Sequence, residues 1–82
     1  MMFFSRHNNA VFSAEGVTFK LFKADRGKTK VYYLRAFGDH IPDGEMDVET
    51  YDNEKDARDA LLFIVERTKA ITIPRGENKD VF

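Results

Sequence analysis

Residues 17–37 read VTFKLFKADRGKTKVYYLRAF, and their pattern predicts the central part of the fold. Apolar and polar side chains alternate through residues 17–23, while β-branched and aromatic residues dominate residues 30–37, as is typical of half-buried strands. The intervening residues 25–28, DRGK, form a turn sequence in which the glycine can adopt a positive φ. We therefore predict an antiparallel hairpin across this stretch.

The register of the hairpin assigns its side chains to two faces. With a four-residue loop at residues 25–28, or a two-residue loop at residues 26–27, Phe19 pairs with Leu34. An earlier strand at residues 10–14 would join through a tight Glu-Gly turn and place Phe12 opposite Phe19. Both hairpins then put apolar residues on one face, which we predict to be the core side. These residues are Ala10, Phe12, Val17, Phe19, Leu21, Tyr32, Leu34 and Ala36.

The sequence after the hairpin predicts a further strand, a helix and a last short strand. Residues 45–50 alternate acidic with apolar or hydroxyl side chains, which indicates an edge strand with an acidic outer side. Asp52 or Asn53 caps a helix that runs to about Thr68, with an apolar stripe facing the sheet. Alternation at residues 71–73 predicts the last strand.

Length and composition predict one domain, residues 1–82. The chain is 43% hydrophobic and 33% charged, an ordinary globular balance. It has no cysteine, which excludes disulfides and thiol chemistry and fits a reducing cytosol. No run approaches the roughly 20 apolar residues of a membrane span. We expect a cytoplasmic α+β protein: an antiparallel β-meander of three to five strands, with one α-helix packed on one face.

The other face of the hairpin is the candidate binding site. Two aromatic rings lie there between two cations, and the hairpin tip adds further positive charge. Rings stack on bases and cations hold phosphates. A flat aromatic sheet offers stacking rather than groove contacts, so RNA or single-stranded DNA is favoured over duplex. The predicted nucleic-acid-binding residues are Lys20, Phe22, Lys23, Arg26, Lys28, Lys30, Tyr33 and Arg35.

This face has an alternative interpretation in which the rings are covered. Another strand or the apolar end of the chain, Val81-Phe82, could pack on them. A second copy of the chain could also bury them, which would make the protein a homo-oligomer.

A second surface predicts a protein partner. Residues 1–37 carry seven basic and two acidic side chains, whereas residues 38–66 carry two basic and ten acidic ones. A run of carboxylates can imitate a phosphate backbone and block a basic protein. Leu62 and Phe63 fall outside the apolar stripe of the helix, which can mark an interface. The predicted protein-interface residues are Asp59, Leu62, Phe63 and Glu66.

Motifs for catalysis and for cofactors are not found in the sequence. The acidic residues 43–47 do not match a calcium-binding loop, and no Gly-x-Ser-x-Gly or glycine-rich phosphate loop occurs. We expect neither a metal site nor a cofactor, and we expect a binding protein rather than an enzyme.

The layout resembles two kinds of small protein. A sheet followed by the helix start YDNEKDA, residues 51–57, loosely resembles the three-stranded-sheet nucleic-acid-binding domains of phage proteins. The compact, aromatic-rich chain without cysteine also looks like small phage-encoded accessory proteins that disarm host toxins or defence enzymes. The resemblance implies an inhibitor that binds RNA or a protein.

Overall fold

A computed structural model of the chain describes residues 1–75. Within them lie β1 (Met2–Ser5), β2 (Ala10–Ser13), β3 (Thr18–Arg26), β4 (Thr29–Phe37), a 3-10 turn (Pro42–Gly44), β5 (Glu45–Tyr51) and α1 (Glu54–Thr68). β1 and β2 form a two-stranded sheet, and β3, β4 and β5 form a three-stranded sheet in that order. All pairings are antiparallel, so the predicted α+β class is confirmed. No helix of this part of the chain is long and apolar enough to cross a membrane.

The β3–β4 hairpin closes through a two-residue turn at residues 27–28, with Arg26 opposite Thr29. The turn glycine has a φ of 65°, a left-handed value that favours glycine. Neither predicted loop, the four residues 25–28 or the two residues 26–27, is the one that forms, and Phe19 lies opposite Ala36, two positions from its predicted partner. Because side chains alternate with a period of two, this shift leaves every side chain on its predicted face.

The predicted hairpin between residues 10–14 and β3 is wrong. Ala10–Ser13 pairs with Met2–Ser5 and not with β3. Phe12 still meets Phe19, with ring centroids 6.0 Å apart, but the contact is packing between two sheets. The N-terminal Met-Phe-Phe run supplies the competing strand, and its Phe3 joins the same cluster, 5.7 Å from the Phe19 ring.

The core lies between the three-stranded sheet, α1 and the β1–β2 hairpin. Ser5 is only 1% exposed, and its hydroxyl donates a hydrogen bond to the Val48 carbonyl oxygen at 2.6 Å. This bond ties the small hairpin to β5. The helix and the hairpin therefore cover the same face of the sheet. The buried apolar residues are Phe12, Leu34, Ala36, Ile41, Val48, Ala57 and Ile64.

The helix begins as predicted and the last predicted strand does not form. The Asn53 side chain accepts a hydrogen bond from the Asp56 amide at 2.8 Å, which is the expected cap. Lys69, with a φ of 57°, ends the helix. Ile71 and Ile73 are 92% and 85% exposed and pair with no strand within residues 1–75. Alternation alone does not supply the hydrogen-bonding partner that a strand requires.

Candidate nucleic-acid interface

The outer face, meaning the surface of the three-stranded sheet turned away from α1, carries most of the predicted binding residues. Strand alternation places Lys20, Phe22, Arg26, Tyr33 and Arg35 on it. Alternation places Lys23 and Lys30 on the opposite side of the hairpin, near its tip, and Lys28 lies in the turn. Sequence reasoning assigned Arg26 to the turn, whereas it is the last residue of β3 and its side chain belongs to the outer face.

Two aromatic side chains face each other across the strands of this surface. Phe22 lies directly opposite Tyr33 and is 37% exposed. Its ring meets Phe37 in an edge-on arrangement, with centroids 6.0 Å apart. Within residues 1–75 the helix and the small hairpin pack on the other side of the sheet. Val81-Phe82, the alternative cover, lies outside the described residues.

At least one cation lies against each ring of this pair. The Lys20 ammonium lies 5.6 Å from the Phe22 centroid, and the Arg35 guanidinium lies 5.2 Å from it. Arg26 lies 6.0 Å from the Tyr33 centroid and donates a hydrogen bond to the Tyr33 hydroxyl at 2.5 Å. Exposed cation–π contacts contribute about 0.5–1 kcal/mol each. These contacts hold both rings in place at the surface.

Arg35 differs from the other cations of the outer face because its charge is balanced. Its Nε donates to Asp47 at 2.6 Å, and its Nη1 donates to Glu45 at 3.3 Å. The hydrogen bond to Asp47 is the main cause that raises the pKa of Arg35 above its ordinary value. Lys20 and Arg26 form no ion pair within the part of the chain that the structure describes. The free positive charge of the outer face therefore lies on β3.

A bulge in the β4–β5 ladder changes which side chains β5 presents. Thr50 lies opposite Tyr33, so it belongs to the outer face instead of the core side predicted by simple alternation. Glu49 turns to the other side, and its carboxylate accepts the Thr50 amide at 3.0 Å. The carboxylates that β5 presents on the outer face are therefore Glu45 and Asp47.

The predicted protein interface on α1 is exposed. Leu62 and Phe63 are 52% and 50% exposed, and they lie outside the buried stripe as predicted. Asp59 and Glu66 beside them are exposed as well. The Arg67 guanidinium lies 4.7 Å from the Phe63 centroid and covers part of the ring.

Sequence reasoning missed an apolar surface on the β1–β2 hairpin. Met2, Phe4 and Val11 share its outward side and are 61%, 57% and 60% exposed. Phe4 and Phe63 line one cleft of about 300 Å³. The N-terminal run is apolar on both sides of its strand, so alternation gives no contrast by which β1 could have been found.

The geometry defines an aromatic surface with cations on one strand and carboxylates on another. Comparisons with protein-family models, with curated proteins and with solved structures gave no match.

Proposed function

We propose that the protein is a non-enzymatic binding module that holds RNA or single-stranded DNA on the outer face of β3 and β4. The observation that carries the proposal is the opposed pair Phe22 and Tyr33 on the face turned away from the helix, with a cation against each ring. A cytoplasmic site of action belongs to the proposal and is supported by the absence of cysteine from the sequence.

Aromatic rings at a sheet surface suit unpaired bases, and here Phe22 is 37% exposed and Tyr33 is half-buried. A base stacked on an aromatic side chain contributes about 1–3 kcal/mol, and every base has a face that can stack. In a duplex those faces are already stacked, so only base edges and backbone remain available. The paired rings of Phe22 and Tyr33 therefore favour single strands.

The charge of the hairpin supports the same partner. β3, β4 and their turn carry the cations Lys20, Lys23, Arg26, Lys28 and Lys30 in addition to the balanced Arg35. One carboxylate, Asp25, opposes them on these strands. Phosphates that neutralise such cations release bound counterions, which makes the affinity fall as salt rises.

The test is a fluorescence anisotropy titration with an unstructured RNA of about ten nucleotides, the matching DNA strand and its duplex. Phe22→Ala/Tyr33→Ala removes both stacking rings, and we expect it to weaken single-strand binding by about thirtyfold or more. Phe63→Ala is the matched control, because it removes an exposed ring from α1 and we expect it to bind as wild type does. Circular dichroism checks that each variant is folded.

Two outcomes would contradict the proposal. The first is a Phe22→Ala/Tyr33→Ala variant that binds single strands as tightly as the wild-type protein does. The second is a preference for the duplex over either single strand at equal salt concentration.

A second candidate function is inhibition of a basic nucleic-acid-processing protein. The observation that favours it is the joint exposure of Leu62 and Phe63 beside Asp59 and Glu66. An exposed apolar pair can anchor a protein interface, and here its rim is of mixed charge, because Lys55 pairs with Asp59 at 2.8 Å and Arg67 lies against Phe63. The resemblance to phage accessory proteins that disarm host enzymes would fit this inhibitory function.

The two functions predict different complexes. An inhibitor complex with a purified basic nuclease should survive removal of nucleic acid, should be lost in Leu62→Ser/Phe63→Ser and should persist in Phe22→Ala/Tyr33→Ala. A complex with the opposite pattern is bridged by nucleic acid. Self-association through the outer face would instead raise the mass measured by light scattering, and the ring variant would abolish that increase.

A further inference from the structure

Within the part of the chain that the structure describes, β3 has a free edge, because it pairs with β4 alone. Arg26 and Thr29 flank the two-residue turn and exchange both of their backbone hydrogen bonds, and every second residue of β3 counted back from Arg26 also bonds β4. The residues between them, which include Phe19, Leu21 and Asp25, turn their amides and carbonyls away from β4. A free edge of nine residues is a template for a further strand.

An apolar groove of about 270 Å³ lies beside this edge, on the side of the sheet that α1 covers. Val17 and Phe19 line it from the sheet, and Leu61 and Val65 line it from the helix. Ala70, just beyond the end of α1, belongs to the same lining. A strand added to the edge of β3 would therefore lay one row of its side chains in the groove.

Residues 71–74, which we call the strap, have the pattern that such a strand requires. In an extended chain Ile71 and Ile73 point to one side and Thr72 to the other. The two isoleucines are 92% and 85% exposed, so neither has a packing partner that it would have to give up. Pro74 has no amide hydrogen to donate and is suited to end the strand.

The helix delivers the chain to the end of β3 at which such a strand would begin. The Ala70 amide donates to the Val65 carbonyl oxygen at 3.1 Å, and Ala70 lines the groove together with Val17 and Phe19. A strand that runs from there toward Leu21 is parallel to β3, and also to β5, because both are antiparallel to β4. Parallel strands need a crossover of a dozen or more residues, usually a helix, and the 15 residues of α1 supply one.

We propose that the strap closes on the free edge of β3 as a further strand of the sheet, with Ile71 and Ile73 in the groove. The structure shows the open arrangement. Closing moves only the chain beyond Ala70, and the strap is tethered beside its site, which gives it a high effective concentration there. The closed strap buries apolar surface and occupies an edge that would otherwise pair with other chains. Only Thr72 of the strap then faces the outer side, so the ring pair stays uncovered.

The test is hydrogen exchange of backbone amides, followed by NMR on the whole chain and corrected for the intrinsic rate of each residue. The four-residue strap spans about 13 Å, whereas Asp25 lies about 20 Å along β3 from Phe19. A strap that is closed about nine-tenths of the time should slow exchange at Phe19 and Leu21 about tenfold. Asp25 is the internal control, because its amide lies on the same edge beyond the reach of the strap and should stay unprotected.

Ile71→Ser/Ile73→Ser removes the two side chains that fill the groove, so Phe19 and Leu21 should lose their protection. Thr72→Ser is the matched control: Thr72 belongs to the strap but points away from the groove, and the protection should remain. Both variants change residues that are exposed in the open structure, so we expect both to fold. The amides of β4 that bond β3 report whether the sheet is intact.

Three results would overturn the inference. Phe19 and Leu21 could exchange as fast as Asp25 after correction, which would show that nothing covers the edge. Protection that survives in Ile71→Ser/Ile73→Ser would show that a group other than the strap covers it. Protection that grows with protein concentration would show that a second copy of the chain supplies the strand. None of these measurements uses nucleic acid, so their outcome is independent of the proposed function.

Discussion

Lys20 and Arg35 lie directly opposite each other on the outer face, yet we expect their loss to change binding in different ways. Lys20→Gln and Arg35→Gln each remove one positive charge from the same cross-strand row. Lys20 has no ion-pair partner within residues 1–75, whereas Arg35 is paired with Asp47 and Glu45. The prediction is that Lys20 contacts a phosphate and that Arg35 mainly positions the Phe22 ring.

The salt dependence of binding measures this difference. For single strands, each phosphate neutralised contributes about 0.7 to the slope of log K against log salt concentration. Lys20→Gln should therefore make the slope shallower by about 0.7. Arg35 and its two carboxylates together carry a net negative charge, so a phosphate releases few counterions on approaching them. Arg35→Gln should leave the slope unchanged and should lower the affinity by a similar factor at every salt concentration.

Anisotropy titrations of one unstructured RNA between about 50 and about 200 mM NaCl would provide the slopes. Asp47→Asn provides a complementary variant, because it frees part of the Arg35 charge and should make the slope steeper. If Arg35→Gln reduces the slope as much as Lys20→Gln does, the carboxylates do not neutralise Arg35 toward phosphate, and the reasoning is refuted.

Three further predictions concern stability. Ser5→Ala removes the hydroxyl that bonds the Val48 carbonyl at 2.6 Å, so urea unfolding should show a loss of about 1–3 kcal/mol; a loss near zero would contradict this. Asn53→Ala removes the cap on the Asp56 amide, and thermal unfolding should reveal a loss of about 1 kcal/mol that Asn53→Asp largely avoids. Burial raises the pKa of Tyr51 above 10.0, so stability should fall as pH rises from about 9 to about 11, because the unfolded phenol ionises first. Tyr51→Phe should reduce that fall, and an identical pH profile would contradict the assignment.

The two candidate functions use different surfaces of the molecule. Phe4 on the small hairpin and Phe63 on α1 line a common cleft, on a different part of the molecule from the outer face. Residues that line this cleft can be changed without altering Phe22 or Tyr33. Variants at the two surfaces therefore allow nucleic-acid binding and protein binding to be tested independently.

Short-range features of the sequence determined the helix, the β3–β4 hairpin and the face to which each side chain of that hairpin belongs. The Asn53 cap bonds an amide three residues away, so its signal is complete within one turn of helix. Alternation with a period of two placed Phe22 and Tyr33 on one side even though the predicted register was shifted by two residues. The face of a side chain depends on the backbone period, which each strand carries by itself.

Tertiary structure alone determined which strand pairs with β2, which side chains of β5 lie on the outer face, and how the charge of Arg35 is balanced. β2 pairs with β1 because the N-terminal segment takes the edge that β3 was predicted to occupy. A bulge moved Thr50 to the outer face, and the fold brought Asp47 against Arg35, twelve residues away in sequence. Such outcomes depend on distant segments competing for the same edge or partner, and no local pattern of residues contains that competition.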